Sequence, residues 1–281
     1  MTTSVLPRQV SYQEDFYTFS ALSLDPEELS LSLKKSHNVD WDHSNVPESL
    51  ARQVLFVGIY DGHGGSTVSQ YLRQELHGLF ESADKAHVPE LLAWAKELGG
   101  YFRRFRGGAL SAWAKPSSPD AQRKLDLEAR ATLAFFEMDG CPGKHKEVRA
   151  LSIMKLISVP EDRVRSLGDL KYKPFGVTPE PEVRSKLLKG TEYSHLTLVS
   201  DGVSSVVSDE EISDLARGAT TPREAAQRIV SFASDMASQD NLTALVVPLA
   251  GWGKVTGADR TKPFRENRLT AMIGAERLQR M

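Results

Sequence analysis

The sequence predicts an α+β fold, and three observations predict it. Short apolar runs at residues 55–60, 196–200 and 242–249 read as strands. Longer segments place apolar residues on one helical face. No internal repeat and no regular strand–helix–strand rhythm appears, which argues for separate strand and helix layers over a parallel βαβ sheet.

Taken in order, residues 11–20 have the aromatic and hydroxyl content of a strand and carry the adjacent carboxylates Glu14 and Asp15. Residues 25–50, with Pro26, Pro47 and many charges, read as a connection or insertion outside the core. The strand at 55–60 then runs straight into Asp61-Gly62-His63-Gly64-Gly65. Residues 66–80 follow as a helix with Val68, Leu72, Leu76 and Leu79 on one face. Two further helices are predicted over 88–106 and 119–138, separated by Gly107-Gly108 and a Pro/Ser turn at 115–119. Leu125, Ala129, Leu133 and Phe136 recur at helical spacing in the second. The strand at 196–200 ends in Asp201-Gly202. Ser208 followed by Asp209, Glu210 and Glu211 has the form of a helix start. Residues 222–237 form a helix with Ala226, Ile229, Val230 and Ala233 as its apolar face, leading to Asp240-Asn241 and the last strand. The tail from Gly251 is basic and polar and is expected on the surface.

Composition narrows the function classes. The chain has 281 residues, 40% of them hydrophobic, enough for a sizeable core. Thirty-five Lys and Arg against 37 Asp and Glu leave a formal charge of -2, which provides no field for nucleic acid or an anionic membrane. One cysteine, Cys141, excludes an internal disulfide and a Cys-based zinc cluster. No apolar run reaches the roughly 20 residues of a spanning helix. The first residues show neither a signal-peptide core nor an Arg-rich presequence. A monomer without membrane insertion is expected, intracellular and cytoplasmic, with a mitochondrial location left open.

The strand ends carry the chemistry. A carboxylate at a strand exit can reach a hard dication, and Gly62, lacking a Cβ, lets its carbonyl approach the same ion. Asp61, Asp201 and Asp240 each stand at a strand end beside a Gly or Asn, and Glu14-Asp15 supplies a fourth acidic corner. Singly, each such pair reads as a turn. Two metal ions close together need several carboxylates from separate elements, and this is the pattern seen.

Four motifs resemble the metal-dependent protein phosphatase family, type 2C (PPM). They are Gln13-Glu14-Asp15, Tyr60-Asp61-Gly62-His63-Gly64-Gly65, Leu198-Val199-Ser200-Asp201-Gly202-Val203 and Ser238-Gln239-Asp240-Asn241-Leu242-Thr243. A fifth, Arg165-Ser166-Leu167-Gly168-Asp169-Leu170-Lys171 running towards Glu182, resembles the family segment before the second aspartate. The resemblance implies a four-layer αββα sandwich of antiparallel sheets flanked by helices, in a domain over 1–250 with a C-terminal extension at 251–281. It implies two Mg²⁺ or Mn²⁺ ions, bridged by Asp61, with the Gly62 carbonyl on one and Asp201 and Asp240 on the other. Glu14 would act on the Gly62 side, and Asp15 would support the ligands by hydrogen bonding. His63 would be the general acid for the leaving Ser or Thr oxygen, a role suited to a residue type that titrates near neutrality. The reaction implied is hydrolysis of phosphoserine and phosphothreonine in phosphorylated proteins by a metal-activated water.

The chain also departs from the family pattern. The Gly-Ser-Thr-Ala and Gly-Asp-Ser runs expected before Gly168-Asp169 are absent, and residues 139–165 are too few for the strands that carry them. Some central strands are therefore expected to be missing, together with the acidic ligand for a third, weaker metal. Val10 stands where the family sets its phosphate-binding arginine, and Arg8 is the nearest substitute. These departures raise two alternatives: a catalytically impaired phosphatase-like binding or regulatory protein, as a truncated paralogue, and an incomplete gene product.

Overall fold

Along the chain the elements are β1 (Thr2–Leu6), β2 (Phe16–Ser23), α1 (Pro26–His37), α2 (Glu48–Ala51), β3 (Gln53–Tyr60), α3 (Thr67–Ser82), α4 (Val88–Glu97) and α5 (Leu127–Gly140). They continue with β4 (His195–Val199), α6 (Asp201–Ser204), α7 (Asp209–Ala216), α8 (Pro222–Asp235), β5 (Leu242–Pro248) and α9 (Lys262–Gln279). The computed structural model describes residues 2–6, 13–99, 106–115, 123–140, 165–169, 171–255 and 257–279. The shortened middle at 139–165 falls almost wholly outside the described residues. The chain packs as two units, one of Met1–Tyr17, Gly58–Gly62 and Leu187–Met281, the other of Thr18–Val57 and His63–Lys186.

The first unit is built on a three-stranded sheet in the order β1-β5-β4, antiparallel throughout. Leu6 stands opposite Leu242, and Val199 opposite Ala244. As the central strand, β5 is buried on both faces from Leu242 to Val247, which explains its unbroken apolar sequence. Helix α8 packs on it through the predicted face: Ala226, Ile229, Val230 and Ala233 are all fully buried. Each such aliphatic side chain larger than alanine contributes roughly 1.5–3 kcal/mol by leaving water. Thr221 caps α8 by accepting from the Glu224 amide at 3.1 Å, with Pro222 at the first helical position. The helix start predicted at Ser208 is a complete capping box with Glu211.

The tail lies mostly exposed, as expected, but carries a helix that the sequence did not signal. Residues Lys262–Gln279 form α9, whose Leu269 and Met272 pack against the core of α8 and β5. Arg268 donates to both carboxylate oxygens of Glu211 at 2.8 Å and sits over the rings of Phe232 and Phe264. Its apolar residues are too sparse to stand out from a polar segment, and only these partners distinguish it from a solvated tail.

In the second unit β2 and β3 pair as a two-stranded sheet. Helix α5 is the central element: Ala129, Leu133 and Phe136 are fully buried against α4 and its surroundings. Segment 25–50 is not a simple connection. Asp25 caps α1 by accepting from the Glu27 amide at 2.9 Å, Pro26 opens it, and Lys34, Lys35 and His37 close it. Glu28 is buried on α1 and pairs with Arg130 of α5, whose guanidinium also donates to the Phe80 and Glu81 carbonyls at the end of α3. One arginine therefore ties three helices and satisfies carbonyls left open by a helix terminus. Helix α4 ends at Glu97, just before Gly99 at φ 78°, and residues 100–105 of the helix predicted over 88–106 lie outside the described residues. Of the helix predicted over 119–138, residues 119–122 lie outside the described residues, and α5 begins at Leu127, where Asp126 accepts from the Ala129 amide at 2.8 Å.

Candidate functional site

Tyr60-Asp61-Gly62 at the exit of β3 belongs to the first unit, as do Glu14, Asp15, Asp201 and Asp240. The strand pairing explains how distant sequence meets here: Val199 of β4 and Ala244 of β5 are in register, which brings Asp201 and Asp240 to the same end of the sheet. Two contacts sharpen the junction. A Cβ on Gly202 would lie 2.0 Å from the Asn241 carbonyl oxygen, so only glycine permits this approach. Ser238 donates from Oγ to the Gly202 carbonyl at 2.7 Å.

Asn241 sets the position of the Glu14-Asp15 segment. Its Oδ1 accepts from the Glu14 amide at 2.6 Å and the Asp15 amide at 3.4 Å. Thr243 adds a donation from Oγ1 to Asp15 Oδ2 at 2.8 Å, and Ser200 Oγ accepts from the Thr243 amide at 3.1 Å. Asp15 itself is buried. Asn241, Thr243 and Ser200 were not singled out from the sequence as site residues. They lie in the motifs around Asp201 and Asp240, and their roles show only once the strands are paired.

The carboxylates feel one another. Asp61 Oδ2 accepts from the Asp201 amide at 3.2 Å. Loss of hydration around the Asp61 carboxyl, opposed by that amide and reinforced by the Asp15 and Asp201 carboxylates, pushes its pKa up to about 7. Loss of hydration also raises Asp15; the Thr243 and Ser200 hydroxyls oppose this, and the Asp240 and Asp201 carboxylates add to it. Among the described residues, no Lys or Arg pairs with Asp15, Asp61, Asp201 or Asp240. Their oxygens do not close on a single point: among the described residues, no three Asp, Glu, His or Cys side chains are gathered tightly enough to hold an ion as they stand. The donor types, oxygen only and with no Lys or Arg paired to them among the described residues, are those a hard dication such as Mg²⁺ or Mn²⁺ takes.

His63 belongs to the second unit, where its Nε2 lies 3.3 Å from Asp169 Oδ2. Arg8 lies outside the described residues.

Comparison with known proteins finds similarity to one family. A family model described as "Protein phosphatase 2C" matches residues 162–242. Protein phosphatase 2C homolog 4 of Schizosaccharomyces pombe is 25% identical over 287 aligned residues, covering 75% of each chain. Protein phosphatase 2C homolog 1 of the same organism is 26% identical, over 69% of this chain and 63% of its own. The mitochondrial protein phosphatase 1K of Xenopus laevis is 41% identical over 90 residues, 32% of this chain and 24% of its own. The fold combines helices with antiparallel sheet, as an α+β protein does. The chain is similar to proteins of the protein phosphatase 2C family, most closely over residues 162–242.

Among the described residues, no helix is long and apolar enough to cross a membrane.

Proposed function

We propose that this chain is a metal-dependent protein serine/threonine phosphatase acting on phosphorylated proteins. The observation that carries the reading is the mutual influence of Asp15, Asp61, Asp201 and Asp240 in one unit, with no Lys or Arg among the described residues to neutralise them. Like charges make each other's ionised form more costly, and a dication is the ligand that relieves this. Asp61, the Gly62 carbonyl, Asp201, Asp240 and Glu14 would hold two Mg²⁺ or Mn²⁺ ions. Asp15, anchored by Thr243 and Asn241, would orient the ligands around it. Bound metal supplies Lewis acidity that brings a water molecule's pKa towards neutrality and offsets charge on the phosphoryl group. His63 would give a proton to the departing Ser or Thr oxygen as the P–O bond breaks. Arg8 is proposed to bind the phosphate. The four-layer sandwich belongs to the same reading, as do a phosphatase domain over 1–250 and an extension over 251–281.

The purified chain should hydrolyse a phosphothreonine peptide only with added Mn²⁺ or Mg²⁺, and Asp61→Asn should abolish turnover and weaken Mn²⁺ binding measured by calorimetry. Turnover that persists in chelator, or Mn²⁺ binding unchanged in the variant, would overturn the reading. Mn²⁺ binding without any turnover would instead favour a phosphatase-like binding protein.

A further inference from the structure

The second unit contains a loop built to hold one carboxylate against His63. Gly168 and Asp169 both have left-handed backbone, at φ 78° and 48°, and the second of these is rare for a residue with a side chain. The loop is held from several sides. The Gly168 amide donates to Asp139 Oδ1 at 2.7 Å. The Tyr172 amide donates to the Asp169 carbonyl at 2.8 Å, and the Ser166 amide to the Thr178 carbonyl at 3.1 Å. Lys173, fully buried, donates from Nζ to the Ser166 carbonyl at 2.5 Å and pairs with Asp139 at 2.9 Å. Ser166 Oγ then donates to Asp169 Oδ2 at 2.6 Å, the oxygen that lies 3.3 Å from His63 Nε2. The Asp169 side chain is only 13% exposed, whereas that of His63 is 58% exposed. An exposed imidazole has several rotamers and two tautomers to choose from, and a fixed carboxylate on one ring nitrogen selects among them.

We propose that Asp169 is the positioning residue for His63, accepting from Nε2–H and leaving Nδ1 as the atom that carries the transferable proton. The proposal rests on the phosphatase reading above. In the step it serves, water oxygen forms the new bond to phosphorus while the bond from phosphorus to the Ser or Thr oxygen breaks. The electron pair of that bond goes to the leaving oxygen, which takes the proton from His63 Nδ1. Asp169 touches neither phosphorus nor the leaving oxygen. Its contribution is orientation, a part of the roughly 10²–10⁴-fold available from general acid catalysis.

The test compares two substrates: a phosphothreonine peptide, whose alkoxide must be protonated to leave, and 4-nitrophenyl phosphate, whose phenolate leaves unaided. Asp169→Gly removes the carboxylate while keeping the left-handed backbone free of strain. It should lower kcat on the peptide about 10-fold or more, with KM within about 2-fold, and change kcat on the aryl phosphate by less than about 3-fold. Asp169→Asn, which also tolerates that backbone and keeps an acceptor oxygen, should recover part of the peptide rate. In a His63→Ala background, Asp169→Gly should cost nothing further, because both changes remove one shared function. Equal losses on both substrates, no loss on the peptide, or an undiminished loss in the His63→Ala background would each overturn the proposal. If Asp169→Gly lacks a cooperative thermal transition, Ser166→Ala decides: a loss of about 3-fold confined to the peptide supports the role, and an unchanged peptide rate ends it. A wild-type chain inactive on both substrates with Mn²⁺ present would instead refute the phosphatase reading itself.

Discussion

The acidic cluster of the first unit and the buried acids of the second are treated in opposite ways, although the first unit also has paired acids, such as Glu211 with Arg268. In the second, each has a cationic or proton-sharing partner: Asp139 with Lys173 at 2.9 Å, Glu28 with Arg130 at 2.9 Å, and Glu137 with His87 at 2.6 Å. In the first, Asp15, Asp61 and Asp201 face one another with backbone amides and hydroxyls as their only named relief. A paired acid is a fastening whose loss unfolds or loosens what it joins. An unpaired cluster lowers stability, and under the proposed function a cationic ligand would account for its retention. The same residue type therefore reads as framework in one place and as a site in the other, and the presence of a neutralising partner is what decides.

The comparison can be broken most sharply at Lys173. Burial pushes Lys173 down and Asp139 up, so the pair is worth little beyond an apolar contact, but removing one member strands the other. Lys173→Met should lose about 3–5 kcal/mol in denaturant unfolding, and Asp139→Leu added to it should restore much of that. A loss below about 1 kcal/mol would show that Asp139 is not held as a charged partner.

At the unpaired cluster the effect is a slope. Asp61's carboxyl is raised from 3.8 to about 7, so between those values the folded chain keeps a proton that the unfolded chain has released. Its contribution to stability is therefore present at low pH and lost as pH rises through about 7. Thermal midpoints measured in chelator should fall across this window, and Asp61→Asn should flatten the fall. A variant with the same slope as wild type would remove Asp61 from the cluster's electrostatics. The smallest effect belongs to an exposed pair: Lys34→Ala, which removes the 2.6 Å contact with Asp40, should change stability by no more than about 1 kcal/mol.

The strand ends at Asp61, Asp201 and Asp240 were legible because local pattern suffices there: an acid beside Gly or Asn, following the apolar run at Asp61 and Asp201 and preceding it at Asp240. The same held for the apolar face of α8 and the cap at Ser208. Helix α1 was signalled by Asp25-Pro26-Glu27-Glu28 and by Lys34 and Lys35 at its far end, but its charge density resembled that of a linker. Arg130, Asp139 and Lys173 had no local signature at all. A buried charge cannot be told from a surface one until its partner, 102 residues away for Glu28 and Arg130, is known.

By itself, then, the sequence determined the chemistry available: oxygen donors beside small turn residues, a histidine after Gly62, and one cysteine. Only the tertiary structure decided which acids lie together and which are neutralised. Only it showed Asn241 holding Glu14 and Asp15 in place, and Ser166 and Asp169 set against His63. The reason is that side-chain identity is encoded locally, whereas electrostatic free energy depends on distance and hydration, which arise only when remote segments pack.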